Sequence, residues 1–335
     1  MLDVRRLRLL RELAHRGTIT AVAEALTFTP SAVSQQLSAL EREAGLPLLE
    51  RTGRRVTLTP AAWNLVRHTE AVLERLEQAG ADLAGARQGL AGPLRIGAFP
   101  SAGRAMIPAA LTTLARQHPG LEPMVAETDP AAVAGALRAG DLDVALIHEY
   151  DFAAGGPEPG VTTAALCAEP LYLAEAEYPA AAGDAVAEGD VVAVGDVVAG
   201  RDVVTAGEPG ATPVPAGAGG LARWRDAPWI TATPGTMCQT MTMRACQAAG
   251  FTPRVRHRVD DFATTLALAA AGQGVALVPE LGLAGAPPGL ALTPVPLRRR
   301  TLIACRSGAG RHPAVTALTA ALRQAVPAGL ATGGT

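Results

Sequence analysis

The sequence predicts an α/β protein led by a small all-α domain that carries a wing. Three observations carry that prediction: a helix, a turn, a second helix and a basic hairpin packed into residues 18–55; one long heptad-patterned helix after Pro60; and, from Leu94 onward, strands alternating with helices in two separate runs.

The first helix is expected from Thr18 to Leu26, where Thr18 can cap it and Ala21, Val22, Ala25 and Leu26 form an apolar stripe. A turn at Thr27 and Phe28 leads into a second helix over Pro30–Ala44. Thr29 before Pro30 is a strong start, because a Thr hydroxyl accepts an orphan N–H and Pro at the first helical position loses nothing by lacking one. Val33, Leu37 and Leu40 recur at helical spacing and point inward. Ser31, Ala32, Ser34, Gln35, Gln36 and Ser38 therefore point elsewhere. Gln on such a helix suits base edges in a major groove, since its amide can pair bidentately with adenine. The hairpin Arg51-Thr-Gly-Arg-Arg55 adds cations beside that face.

Charge is distributed to match. All 29 basic residues are Arg and the net charge is −2, yet residues 1–59 hold nine Arg against six acids. Residues 151–220 hold eleven acids against one Arg, so basic charge is concentrated at the N-terminal end, as phosphate contact requires.

After Pro60, Leu65, Thr69, Val72, Leu76, Ala79 and Leu83 follow one another at spacings of four, three, four, three and four. That 3.5-residue repeat is the seam of a paired helix, and with no long helix near it in sequence the expected partner is a second copy of the chain. Gly85, Gly89 and Gly92-Pro93 end it.

The first α/β run reads strand Leu94–Phe99, helix Arg104–Arg116, strand Leu121–Ala126, helix Ala131–Ala139 and strand Val144–His148. A second run reads strand Trp229–Ala232, helix Thr236–Ala249, strand Arg254–Val259, helix Asp261–Ala271 and strand Val275–Val278. Two such units imply a ligand cleft beyond the carboxyl ends of the strands, where helix N-termini offer free N–H groups. The turns Phe99-Pro-Ser-Ala-Gly103 and Thr233-Pro-Gly-Thr-Met237 fit that role, with Ser101 and Thr236 each adding a hydroxyl that would hold a carboxylate or similar anion.

Thr29 to Glu41, followed by Glu43 to Pro60, resembles the winged helix-turn-helix of LysR-type transcriptional regulators, with the helix-to-wing spacing agreeing throughout. Gly140–Ile147 and Ala271–Pro279 are similar to segments near that family's crossover strands. The resemblance implies a winged helix-turn-helix over 1–59, a linker and dimerisation helix over 60–89, and an effector domain over 93–325 related in fold to periplasmic solute-binding proteins (type 2). Its first subdomain would cover about 93–165 and 273–325, and its second about 166–272. Double-stranded promoter DNA would be met by Thr29, Pro30, Ser31, Ala32, Ser34, Gln35 and Gln36 and by the wing residues Arg51, Arg54 and Arg55. Pro30 stands where many members have Gln, and Gln35 where many have Arg, so the operator sequence does not carry over. A small metabolite would sit between the two subdomains against Ser101, Thr128, His148, Thr236 and Thr264. Dimers, in some members tetramers, and contact with RNA polymerase are further implications.

The remaining features bound the alternatives. The first 25 residues are charged and lack a signal peptide's apolar core, and the longest uncharged run, Phe262–Pro279, reads as helix, turn and strand. The expectation is a cytoplasmic, nucleoid-associated protein with no membrane partner. Cys167, Cys238, Cys246 and Cys305 lack zinc-site spacing and the six His form no ligand pattern, so neither metal nor cofactor is expected. Peroxide-sensing members of the family use a cysteine pair near the second unit's first helix. Cys238 and Cys246 would supply it here, at a separation of eight that is shorter than typical. An enzymatic alternative would draw on Ser101, Asp143 and His148, but no Gly-x-Ser-x-Gly elbow or phosphate loop accompanies them. Finally, an acidic Gly/Ala/Pro-rich insertion over 175–221 repeats Gly-Asp-Val-Val-Ala at 189 and 195 and Arg-Asp-Val-Val-Thr at 201, which reads as a duplication forming a loop or short hairpin.

Overall fold

Local capping shapes the N-terminal elements of the computed structural model, which describes residues 1–52, 55–86, 89–151, 155–156, 158–177 and 218–332. The Asp3 carboxylate accepts from the Arg5 and Arg6 N–H groups and starts α1 (Val4–Arg16), which Gly17 closes in the left-handed region at φ 75°. Thr18 caps α2 (Ile19–Ala25) by accepting from Ala21 N at 3.1 Å. Thr27 then takes φ 56°, a strained conformation for a β-branched residue, to turn the chain into α3 (Pro30–Ala44). Strands β1 (Leu49–Thr52) and β2 (Arg55–Leu58) pair antiparallel from Leu49↔Leu58 to Thr52↔Arg55. Thr59 caps α4 (Pro60–Gly85) through Ala62 N at 3.1 Å. Leu10, Leu13, Val22, Val33, Leu37, Leu40, Ala62 and Val66 make one buried core from these four helices.

The α/β part follows as β3 (Ala91–Ala98), α5 (Pro100–Gln117), β4 (Gly120–Glu127), α6 (Pro130–Ala139), β5 (Val144–Tyr150) and β6 (Val161–Ala176). After the insertion come β7 (Pro228–Thr231), α7 (Met237–Ala248), β8 (Arg254–Arg258), α8 (Phe262–Ala270), β9 (Ala276–Pro279), β10 (Leu290–Arg306), α9 (Pro313–Gln324) and β11 (Ala331–Thr332). Strand β3 runs parallel to β4 from Ala91↔Gly120 to Ala98↔Glu127 and parallel to β5 at Ile96↔Val144. The strand order is β11-β6-β10-β5-β3-β4, with β9 antiparallel on β6, and β7 and β8 form a separate parallel pair. Nearly all sequence-predicted elements are present within a few residues of their expected bounds.

The chain divides into two compact units. Unit 1 is Met1–Ile147, Gly156–Cys167 and Thr301–Thr335; unit 2 is His148–Gly155 and Ala168–Arg300. The sequence expectation puts the return to the first subdomain at about residue 273. Strand β9 pairs with Leu171–Ala174 of β6 and so stays in unit 2, and the chain re-enters unit 1 only along β10. The expected insertion, with its repeats at 189, 195 and 201, lies for the most part outside the described residues.

Candidate nucleic-acid interface and effector site

Helix α3 separates cleanly into two faces. Val33, Leu37 and Leu40 are at most 1% exposed, whereas Ser31, Gln35, Gln36 and Ser38 are exposed and Ala32 and Ser34 are half-buried. Thr29 is used as the cap, its hydroxyl accepting from Ala32 N at 3.2 Å, and Pro30 occupies the first helical position. Gln36 accepts from Arg6 Nε at 2.9 Å, and Arg6 also pairs with Glu43, so α1 clamps one edge of the polar face while Gln35 projects beyond it. Of the wing cations, Arg51 and Arg55 lie on β1 and β2 opposite Val56 and Thr52. Arg54 lies outside the described residues.

The heptad seam divides along α4. Leu65 packs on the N-terminal core and Thr69 is 1% exposed, its hydroxyl donating to Leu65 O at 2.8 Å, so this chain itself covers the first two positions. Val72, Leu76 and Leu83 are 41%, 52% and 71% exposed, and Ala79 is exposed with them. The opposite face of α4 is covered instead. Gly308, at φ 89°, approaches so closely that a Cβ there would meet Glu74 O at 2.3 Å, and Arg306 Nε donates to Glu77 at 3.0 Å. Packing against its own body thus uses one side of the helix and leaves the heptad stripe from Val72 on the other.

In unit 1, Ser101 and Thr128 both lie at carboxyl ends of adjacent parallel strands. Ser101 is in the first turn of α5, whose N-cap residue Phe99 supplies no side-chain cap, and it is 5% exposed. Thr128 N donates to Ala98 O at 3.0 Å, which ties the end of β4 to the end of β3. Gly97 keeps that junction tight, since a Cβ there would come within 3.3 Å of Thr128 Oγ1. Asp143, considered for an enzymatic triad, instead accepts from Arg95 N at 2.9 Å and pairs with Arg306 at 3.4 Å.

In unit 2 the two predicted hydroxyls make local hydrogen bonds. Thr236 caps α7, accepting from Gln239 N at 3.2 Å and donating to Thr233 O at 2.8 Å. Thr264 donates its N–H and its hydroxyl to Asp261 at 2.9 and 3.0 Å. The α8 N-terminus thus carries the Asp261 carboxylate as its own cap. His148 is 6% exposed and packs edge-on against Tyr150. Burial, reinforced by Arg299, pushes its pKa down to about 3, so it stays neutral at physiological pH.

Sequence reasoning missed the polar centre around Tyr150. Arg299 and Glu169 are 1% and 0% exposed and pair at 2.8 Å, and the other Glu169 oxygen accepts from Leu281 N at 2.6 Å. Burial alone would lower the Arg299 pKa, but the Glu169 carboxylate together with Tyr150 and Cys238 holds the guanidinium above its ordinary value. Tyr150 hydroxyl lies 3.3 Å from Cys238 Sγ, and burial followed by the neighbouring Cys238 raises the phenol's pKa well above the usual range. The available signal was the strand alternation through β10, which points Arg299 to the buried side that Val295 and Leu297 share.

Cys238 and Cys246 sit at the two ends of α7. Eight helical residues span about 12 Å, against the ~7 Å limit between α-carbons for a disulfide. Burial also pushes the Cys246 thiol up to about 12, away from the reactive thiolate. An intramolecular bridge requires α7 to unwind. Among the described residues no group of three or more His, Cys, Asp or Glu could hold a metal, and no helix is long and apolar enough to cross a membrane.

Comparison with known proteins places this geometry. Residues 4–63 match the family described as bacterial regulatory helix-turn-helix protein, lysR family. Residues 87–198 and 214–327 match the LysR substrate binding domain. The chain is 39% identical over 141 residues to a probable hydrogen peroxide-inducible genes activator of Mycobacterium xenopi, covering 42% of this chain and 75% of that one. It is 33% identical over 173 residues to the nitrogen assimilation regulatory protein nac of Klebsiella aerogenes, covering 51% of this chain and 55% of that one. In fold it is similar to a full-length OxyR variant from Pseudomonas aeruginosa, with TM-score 0.60, 21% identity, and coverage of 100% and 99%. A mutant OxyR of Corynebacterium glutamicum gives TM-score 0.51 at 22% identity, with coverage of 97% and 92%.

Proposed function

The chain belongs to the LysR family of DNA-binding transcriptional regulators with an effector-binding domain, and on that premise we propose that it works in the cytoplasm as a homodimer, without enzymatic activity, under the control of a small metabolite. The observation that carries the reading is the two-faced α3, with an apolar row buried to the last residue and Ser31, Gln35 and Gln36 left in solvent beside a basic wing. Pairing through Val72, Leu76, Ala79 and Leu83 would bring two such helices to major grooves about one helical turn apart. Ser101 and Thr128, at adjoining strand ends where α5 begins, are the unit 1 groups we assign to a carboxylate or similar anion. A coupling of about 1–3 kcal/mol between effector and DNA suffices for control. RNA polymerase is the partner through which such a dimer would act.

The names of several relatives raise oxidant sensing. The helical separation of Cys238 from Cys246 and the burial of Cys246 do not favour a disulfide switch in this chain. The metabolite reading is therefore retained.

Direct readout and phosphate contact give separable signatures. Gln35→Ala is expected to change sequence preference by about 1–3 kcal/mol at the bases it meets while keeping the salt slope, whereas Arg54→Ala weakens binding to all sequences and lowers that slope by about one. Gel shifts on random and selected DNA at two salt concentrations read both, and identical behaviour of the two variants would count against the assignment.

A further inference from the structure

Unit 1 contains a cavity of about 560 Å³ walled by α1, α4, β3, α6 and the end of β10. Six arginines line it, Arg5, Arg8, Arg11, Arg95, Arg138 and Arg306, against four carboxylates. The carboxylates do not satisfy the arginines evenly. Arg306 binds Glu77 and Asp143, Arg11 binds Glu12 at 2.7 Å and reaches Glu70 at 3.9 Å, and Arg138 pairs with the exposed Glu158 at 3.5 Å and donates to Pro159 O at 3.1 Å. Arg8 donates to the Arg138 carbonyl at 2.9 Å, and no carboxylate among the described residues pairs with it. Arg11 and Arg138 are 5% and 8% exposed, and the Nε of each is buried without a hydrogen-bond partner.

Buried cationic donors left without acceptors are costly, and a void of metabolite size beside them is where an acceptor belongs. Crowding points the same way. Burial first, then the charges of Arg11 and Arg306, lower the pKa of Arg8. A tetrahedral oxyanion answers all of these needs, because its several oxygens accept from more than one guanidinium fork at once.

We propose that this cavity binds a phosphate group, free or carried on a small phosphorylated metabolite, through Arg8, Arg11 and Arg138. The site is distinct from Ser101 and Thr128 and does not depend on the effector reading given above. Its walls come from the reader's first helix and from the linker helix.

Full-length protein titrated with inorganic phosphate, pyrophosphate and glycerol 3-phosphate by isothermal calorimetry tests this, with sulfate and chloride at matched ionic strength as references. Saturable binding of at least one of the three phosphate compounds, tighter than sulfate by tenfold or more, is the expected result; the ester binding best assigns a metabolite, and orthophosphate or pyrophosphate binding best assigns the free ion. Arg8→Gln, at a half-buried position, is expected to weaken that binding at least tenfold. Gly80→Leu offers an independent route, since Gly80 lines the void and a Cβ on it meets no atom within 4 Å; the larger side chain should fill the space and abolish binding with every arginine retained. No saturable phosphate binding beyond sulfate, or equal binding in wild type and both variants, overturns the proposal.

Discussion

Leu76→Asp is expected to yield a folded monomer that binds DNA roughly 10²–10⁴-fold more weakly than the wild type. Leu76 is 52% exposed on the stripe that continues through Ala79 to Leu83, and the opposite face of α4 is covered by its own body. The substitution touches the chain's own cavity wall only at its rim, so most of its cost falls on pairing. Two Asp side chains facing each other across a helical seam lose apolar burial and repel. The DNA consequence is larger than the pairing energy alone suggests. A tethered second reader binds at the effective concentration set by its partner, and that advantage vanishes when the partner is lost. Sedimentation velocity and gel shifts on one preparation separate the two effects. An unchanged dimer would move the seam elsewhere, and a monomer with undiminished DNA affinity would remove the two-reader mechanism.

Arg299→Met should destabilise unit 2 by about 3–5 kcal/mol, a large fraction of what a domain of this size possesses. The guanidinium is 1% exposed and donates to Glu169 at 2.8 Å, so its loss strands a carboxylate that is 0% exposed and that, among the described residues, keeps the Leu281 N–H as its donor. Replacing both partners, as Arg299→Met with Glu169→Leu, is expected to recover at least half of the loss, because two apolar side chains leave no buried charge. Urea unfolding of the two variants measures the difference. A single variant within about 1 kcal/mol of wild type would show the pair to be energetically idle. The same substitution removes a positive charge beside Tyr150 and His148, so the His148 environment should change with it.

How much of this could be read from the sequence depended on whether a signal was local. Helix α3 begins at Pro30 and ends at Ala44 as expected, because Thr29, Pro30 and Gly45 each act on the nearest turn and need no tertiary context. The α/β runs were legible for the same reason, since Asp129, Thr236 and Asp261 mark helix starts by their own hydrogen bonds. Helix α1 is not among the expected elements, although Leu7, Leu10 and Leu13 carry helical spacing behind an Asp3 cap. Long strands β6 and β10 were missed because their apolar alternation is broken where each passes from one unit to the other.

Site residues divide along the same line. The outward face of α3 follows from the helical period once the inward row is known. Burial of Thr69 does not follow, because it depends on α1 packing against α4. The bond from the Thr264 hydroxyl to Asp261, three residues earlier, is by contrast local and legible. The Arg299–Glu169 pair joins residues 130 positions apart, which no local pattern announces.

Hydroxyl-radical footprinting of the wild-type chain on the DNA upstream of its own gene, at low ionic strength, tests the central claim most directly. Two protected segments about one helical turn apart are predicted, appearing together as protein is added and disappearing together in the Leu76→Asp variant. A single protected segment, or none where unrelated DNA behaves the same way, would contradict the account of a paired groove reader.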